Sequence, residues 1–207
     1  MTITLEQVGK RFNRERIFRG LSHTFEGTEH TVILGSNGSG KSTLLQIIAG
    51  HTSPSEGTLR FEHEGKIIAS ENLFHSISYA APYMELLEEL NLGEHIAFHA
   101  GLKPFRAGLT PAQIPALMGL EKARNKQIRH FSSGMKQRVK LALAILSNTP
   151  LLCLDEPCSN LDQPAITWYQ NLISNHSDGR LILVCSNQQN QEYPFCKTGI
   201  RMEDYKN

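Results

Sequence analysis

The stretch GSNGSGKST at 35–43 decides the fold. It stands between a short apolar run, TVIL (31–34), and a helical one, STLLQIIAG (42–50), which Gly50 closes with Pro54 beyond it. The segment satisfies G-x-x-x-x-G-K-[ST] in the strand–loop–helix setting that the pattern requires. Gly35, Gly38 and Gly40 let the backbone curl so that its N–H groups converge on phosphate oxygens, with Ser36, Asn37, Ser39 and Thr43 completing the loop. Lys41 supplies a point charge for β- and γ-phosphates, and the Ser42 hydroxyl suits Mg²⁺. The helix that follows adds its positive end, worth up to about 2 kcal/mol.

Working outward, TITLEQV (2–8) alternates as a half-buried strand. GTLRFEHEGKII (57–68) reads as a hairpin turning at Gly65, and SISYAA (76–81) as a further strand. From Pro82 the character changes: 83–149 carries helical patterns broken by Gly101, Pro104, Gly108, Pro111 and Pro115. Strands return with LLCLDEP (151–157) and LILVCS (181–186), separated by a helix near 164–175. Apolar strands alternating with helices predict an α/β protein whose mainly parallel sheet is covered on both faces, with an N-terminal β portion and a helical insertion. The expected organisation is one domain over 1–207, with a core of 1–82 and 150–207 and a helical subdomain of about 83–149.

Bulk properties exclude several classes. The formal net charge is +1 over 207 residues and the basic residues are scattered, so no stripe for nucleic acid is expected. No apolar run approaches the roughly 20 residues that cross a bilayer, and the alternating N-terminus lacks a signal-peptide core. Cys153, Cys158, Cys185 and Cys196 form no C-x-x-C pair and read as reduced thiols of a cytosolic protein. NGS (37–39) and NHS (175–177) match the glycosylation sequon by chance in a chain without a secretory signal.

LLCLDEP ends a buried strand in two carboxylates, which cost solvation there unless a cation is present. Asp155 is placed to hold Mg²⁺, and Glu156 to take a proton from an attacking water. A second anion-holding helix start appears in FSSGMKQR (131–138), where Ser132, Ser133 and Gly134 offer hydroxyl and backbone donors but no lysine for a complete site. Its helix is expected from about Ser133 to Asn148. Taken alone, this stretch is also an ordinary serine N-cap.

The ordered set GSNGSGKST, FSSGMKQR, LLCLDEP and SNLD (159–162) resembles the ATP-binding domains of ABC transporters over essentially the whole chain: Walker A, signature, Walker B and D-loop in turn. The resemblance implies a P-loop NTPase core, Mg-ATP as ligand, and ATP hydrolysis driving a separate integral membrane permease. It implies a head-to-tail dimer with a second ATP-binding subunit, homodimer or heterodimer, in which each signature motif closes on the γ-phosphate held by the other copy. Asp162 would then belong to the seam, beside Ser159 and Asn160. Phe12 stands where the family stacks an aromatic ring on adenine; a core phenylalanine is the other reading. A cytoplasmic place, peripheral on the inner face of the cell membrane, follows from the same likeness. The compact length and the SSGM form resemble exporters with a separately encoded permease.

Two residues depart from that pattern. The family's glutamine after the strand SISYAA is missing: Pro82 or a neighbour occupies its place, with Tyr83 and Glu85 as the nearest groups to share its role. The histidine after the last core strand is replaced by Asn187, whose amide donates to phosphate but carries no charge and shuttles no proton. Slow turnover is expected, and two further readings stay open: a soluble non-transport ABC ATPase, or a nucleotide-gated binding module. HIAFH (95–99) sets histidines at i and i+4 but without a zinc peptidase's motif order, so surface or packing histidines are expected. PYMELLEEL (82–90) reads as a solvated acidic face beside the surface where the family meets its permease. The transported substrate is not readable, because in this family the membrane subunit chooses it.

Overall fold

The computed structural model describes residues 1–27 and 29–206. In chain order its elements are β1 (Thr2–Phe12), β2 (Glu15–Glu26), β3 (Thr31–Leu34), α1 (Lys41–Ile48), β4 (Glu56–His63), β5 (Lys66–Ile67), α2 (Leu73–Ser76) and β6 (Ile77–Ala80). There follow α3 (Leu92–Leu102), α4 (Ile114–Leu117), α5 (Ser133–Leu146), β7 (Leu151–Asp155), α6 (Gln163–His176), β8 (Leu181–Ser186) and β9 (Thr198–Arg201), with short 3-10 turns between. The chain forms two compact units: Met1–Tyr79, Thr149–Glu156 and the segment from Asp178 onward in the first, Ala80–Asn148 and Pro157–Ser177 in the second.

The first unit holds an antiparallel sheet, ordered β2-β1-β4-β5, and a five-stranded sheet, ordered β6-β7-β8-β3-β9. Within the latter, β3 pairs parallel with both β8 and β9, and β7 pairs parallel with β8. Every residue of β7 and β8 is buried, which is why both read as unbroken apolar runs rather than alternating ones. One apolar core joins Ile3, Leu5 and Phe25 of the antiparallel sheet to Ile33 of β3, Leu44 and Ile48 of α1, and Leu183 of β8.

β2 is not visible in the sequence pattern. Its buried residues Phe18, Leu21 and Phe25 are spaced three and four apart, which imitates a helix. Register shifts against β1 break the period-2 alternation, with Gly20 at a φ of 65° and Gln7 at 51°. β9 also escapes, because only one of its four residues, Ile200, is buried.

Near the start of the parallel strands, Arg180 is buried and its Nη2 donates to Ser78 Oγ (2.8 Å) and Thr149 Oγ1 (2.7 Å). These hydroxyls also bond one another at 2.8 Å, so a charged side chain is tolerated in the interior because neighbouring acceptors solvate it.

In the second unit α3 starts with a capping box: Asn91 Oδ1 accepts from Glu94 N–H, and Glu94 returns the bond to Asn91 N–H. The expected helix from Ser133 is α5, two residues shorter than its sequence suggests. The Ser147 hydroxyl donates back to Leu143 C=O (2.6 Å), and Asn148 N–H turns away to Pro104 C=O (2.8 Å). α5 packs on α6, where the Arg138 guanidinium lies 5.4 Å from the Trp168 ring centre and Trp168 Nε1 donates to Leu117 C=O at 2.7 Å. Of the histidine pair, His95 is buried, and His99 Nε2 lies 2.8 Å from Ser147 Oγ. Because that hydroxyl gives its proton to Leu143, the neutral imidazole is the donor to it. Among the described residues no helix is long and apolar enough to cross a membrane.

Candidate functional site

The loop after β3 closes on itself before α1 begins. Ser39 N–H bonds Ser36 C=O at 3.1 Å, and Leu44 N–H bonds Gly40 C=O at 2.8 Å to start the helix. Gly40 is the helix N-cap at a φ of 100°, and a Cβ there would lie 2.8 Å from Ile17 Cγ2, so both backbone and space demand glycine. Gly35 is excluded from substitution by crowding instead: an added Cβ would lie 2.3 Å from the buried Ser39 Oγ. Lys41 is only 5% exposed, and its Nζ donates to the carbonyls of Gly35 (2.8 Å) and Ser36 (3.1 Å). Its ammonium is therefore aimed inside the loop by two carbonyls, which leave its third N–H donor for an anionic oxygen.

Asn37, Gly38, Gly40, Lys41, Ser42, Thr43 and Glu156 line one open cleft of about 260 Å³. The sheet brings Glu156 there from 115 residues away: β7 ends at Asp155, Asp155 pairs with Cys185 of β8, and the Glu156 N–H bonds Cys185 C=O at 2.9 Å. The Cys185 thiol donates to Lys41 C=O at 3.4 Å, which ties this corner to the first turn of α1. Burial pushes that thiol well above its usual range, and the neighbouring Asp155 charge adds to the effect, so it stays protonated and inert. Asp155 itself is 1% exposed. Glu156 adopts a φ of 42°, a left-handed conformation rare outside glycine, and such strain collects at functional positions.

The donor set fits magnesium better than a protein-caged metal. Ser42 offers one hydroxyl and Asp155 one buried carboxylate, and among the described residues no three His, Cys, Asp or Glu side chains gather around one point. Magnesium is commonly held in this way, by one or two carboxylates plus the phosphates and waters that arrive with a nucleotide.

In the second unit, Ser132 is the N-cap of α5, its Oγ accepting Met135 N–H at 3.3 Å. Ser132, Ser133, Gly134, Arg138, Asn160 and Asp162 line a separate open cleft of about 430 Å³. Gly134 lies against the segment of the D-loop type, where a Cβ would approach Asn160 C=O to 3.1 Å. Asp162 also serves as the N-cap of α6, accepting Ala165 N–H at 2.9 Å, a task its motif does not advertise. Gln137 is buried and donates to Pro157 C=O at 3.1 Å, holding the residue that follows Glu156. Tyr83 and Glu85 are exposed, and Lys140 Nζ donates to the Pro82 carbonyl at 2.6 Å.

Two candidates stand apart from the loop cleft. Phe12 is 48% exposed with the Lys10 ammonium 4.8 Å from its ring centre, so it is not a core residue. Asn187 is exposed just past β8 and does not line the cleft. The residue before it, Ser186, pairs with Leu34 and hydrogen-bonds the buried Glu192. One contact to the loop has no motif behind it: Glu203 Oε1 accepts the Ser36 N–H at 2.7 Å.

The family described as ABC transporter matches residues 18–159. The chain is 32% identical over 167 residues to the cytochrome c biogenesis ATP-binding export protein CcmA of Xanthomonas oryzae pv. oryzae, covering 81% of this chain and 77% of that one. It is also 32% identical over 167 residues to the spermidine/putrescine import ATP-binding protein PotA of Mycoplasma capricolum, covering 77% of this chain and 46% of that one. Its fold superposes, with a TM-score of 0.79 and 21% identity, on a dimeric ATP-binding cassette in a post-hydrolysis state with ADP and phosphate, covering 99% and 94% of the two chains. With the glycine loop, the buried acidic strand end and these likenesses together, the chain belongs to the ABC transporter family as one of its ATP-binding subunits.

Proposed function

We propose that the chain hydrolyses Mg-ATP at two sites shared across a dimer and drives a separate membrane permease from the cytoplasmic face. The observation that carries this reading is the division of parts. Lys41, Ser42, Thr43 and Glu156 share one cleft in the first unit, while Ser132, Ser133 and Gly134 line another in the second, with Arg138 but no lysine and no glycine loop. A helix start with phosphate-type donors, whose own Lys136 is paired with Glu88, suits a phosphate held by another copy. The whole chain 1–207 then acts as one ATP-binding domain, with 1–82 and 150–207 as core and 83–149 as its helical part.

The roles follow from the chemistry of each group. The loop N–H groups and Lys41 take the β- and γ-phosphates, and Phe12 offers a flat face to adenine. Ser42 and Asp155 would hold magnesium, which when bound neutralises charge between those phosphates. Glu156 orients water and accepts its proton; its strained backbone aims the carboxylate and leaves little freedom to retreat. Asn187 can donate a hydrogen bond but relays no proton, so turnover is slow. Tyr83, Met84 and Leu87 stand exposed among Glu85, Glu88 and Glu89, an apolar and acidic surface suited to a permease segment. Export is the favoured direction, on the SSGM form of the signature.

Glu156→Gln tests the core of this reading. The variant should bind ATP as the parent does, turn over about 10²–10⁴-fold more slowly, and elute as a dimer in ATP but not in ADP. A variant that remains monomeric at saturating ATP with undiminished turnover sinks it.

A further inference from the structure

We infer that Glu203 is a positioning residue for Lys41, acting through the Gly35–Ser36 peptide. The inference rests on the reading of the glycine loop as a nucleotide-phosphate site. Glu203 Oε1 accepts the Ser36 N–H at 2.7 Å, and Lys41 Nζ donates to Gly35 C=O at 2.8 Å. That N–H and that C=O belong to one peptide unit, which is planar and trans, so they point to opposite sides of it. The carboxylate pins one edge and the ammonium takes the other. Rotation of the peptide would swing the carbonyl away from Lys41 only by breaking the bond to Glu203. An anion on the N–H also polarises the unit and makes its carbonyl a better acceptor, so the two bonds strengthen each other.

The fold delivers Glu203 to this place deliberately far along the chain. β9 pairs parallel with β3, with Arg201 opposite Leu34, so the turn Met202–Tyr205 runs alongside the loop that leaves β3. Met202 is fully buried beneath it, 3.5 Å from the position of a Cβ on Gly40, and anchors the turn. Lys206 Nζ reaches Gly38 C=O at 3.4 Å, a second tether to the same loop. Gly35 is required here as well, because a Cβ on it would press to 3.2 Å on Glu203 Oε1. The Ser36 N–H, with a smaller contribution from the Lys41 charge, holds the Glu203 carboxyl below the usual carboxylate range, so it is an anion throughout neutral pH.

Such a residue touches no phosphate. Its removal should loosen nucleotide binding while leaving the apo protein's stability unchanged, since Glu203 is exposed. The experiment uses the full chain, with Mg-ATP binding measured by calorimetry in the Glu156→Gln background to prevent turnover, and apo thermal unfolding measured in parallel. Glu203→Ala should weaken Mg-ATP binding by about three- to ten-fold, the range expected of a charge-assisted hydrogen bond discounted for water. Glu203→Gln keeps an acceptor oxygen at the same reach and should stay within about two-fold of the parent. Equal affinity of Glu203→Ala and parent overturns the inference. So does tighter binding by both variants, which would make the carboxylate a mere charge opposing phosphate. A loss of affinity that appears only with a matching fall in apo unfolding temperature also overturns it, as a structural role alone would do this. If the parent binds no ATP, the nucleotide reading itself fails, an outcome separate from all three.

Discussion

Glu156 sits at a φ of 42°, and the consequence can be measured by replacing it with glycine and, separately, with alanine. Both substitutions remove the carboxylate, so both should cut ATP turnover by about 10²–10⁴-fold. They differ only in Cβ. A side chain in the left-handed region costs about 1–2 kcal/mol, which alanine keeps and glycine relieves. Glycine in turn makes the unfolded chain more flexible, a cost of about 0.4–1 kcal/mol. The balance leaves Glu156→Gly more stable than Glu156→Ala by about 1 kcal/mol, or about 2–4 °C in midpoint for a chain of this size. Glu156 N–H bonds Cys185 C=O at 2.9 Å in a fully buried strand pair, so the backbone cannot relax to escape the strain when the side chain changes. The assay is apo thermal unfolding followed by circular dichroism, with ATPase rates on the same preparations. Glycine and alanine variants of equal midpoint would show that no strain is stored at this residue. A glycine variant with parental turnover would remove Glu156 from the chemistry altogether.

Two other outcomes are expected. Ser132→Ala deletes the acceptor of Met135 N–H at the start of α5 and should cost about 1 kcal/mol in urea unfolding, so an unchanged midpoint would deny it the cap. His99 is held neutral to about pH 4, first by burial, then by the charges of Lys103 and His95, whereas the unfolded chain takes its proton near 6.5. The folded value is the lower one, so this histidine costs nothing above 6.5 and favours unfolding as pH falls from there towards 4, by up to about 2 kcal/mol at pH 5. Urea midpoints at pH 7.5 and pH 5 should converge in His99→Gln relative to the parent; an identical acid loss in both would acquit His99.

Local pattern carried much of the architecture. The loop 35–43, the helix it opens, and the apolar runs of β3, β7 and β8 are legible because each is contiguous and its burial follows a fixed period. The hairpin at Gly65 and the cap at Ser132 are legible for the same reason: turn and cap chemistry is confined to a few residues. β2 was hidden because bulges replaced its alternation with helical spacing, and β9 because it buries too little to leave a pattern. Phe12 was open between a ring on adenine and a core residue; only three-dimensional packing, which leaves it exposed, excludes the core.

What the amino-acid order determined by itself is therefore the set of chemical parts: a glycine loop of the phosphate-holding pattern, an acidic strand end, and a serine–glycine helix start without such a loop of its own. What only the tertiary structure decided is how those parts are held. Glu203 reaches Ser36 across 167 residues, Glu156 is twisted into a left-handed backbone beside Lys41, and Asp162 spends its carboxylate capping α6. The physical reason is range. Periodicity and capping act over one or two turns of chain, whereas a hydrogen bond between strand ends depends on sheet order, which no short window of residues encodes.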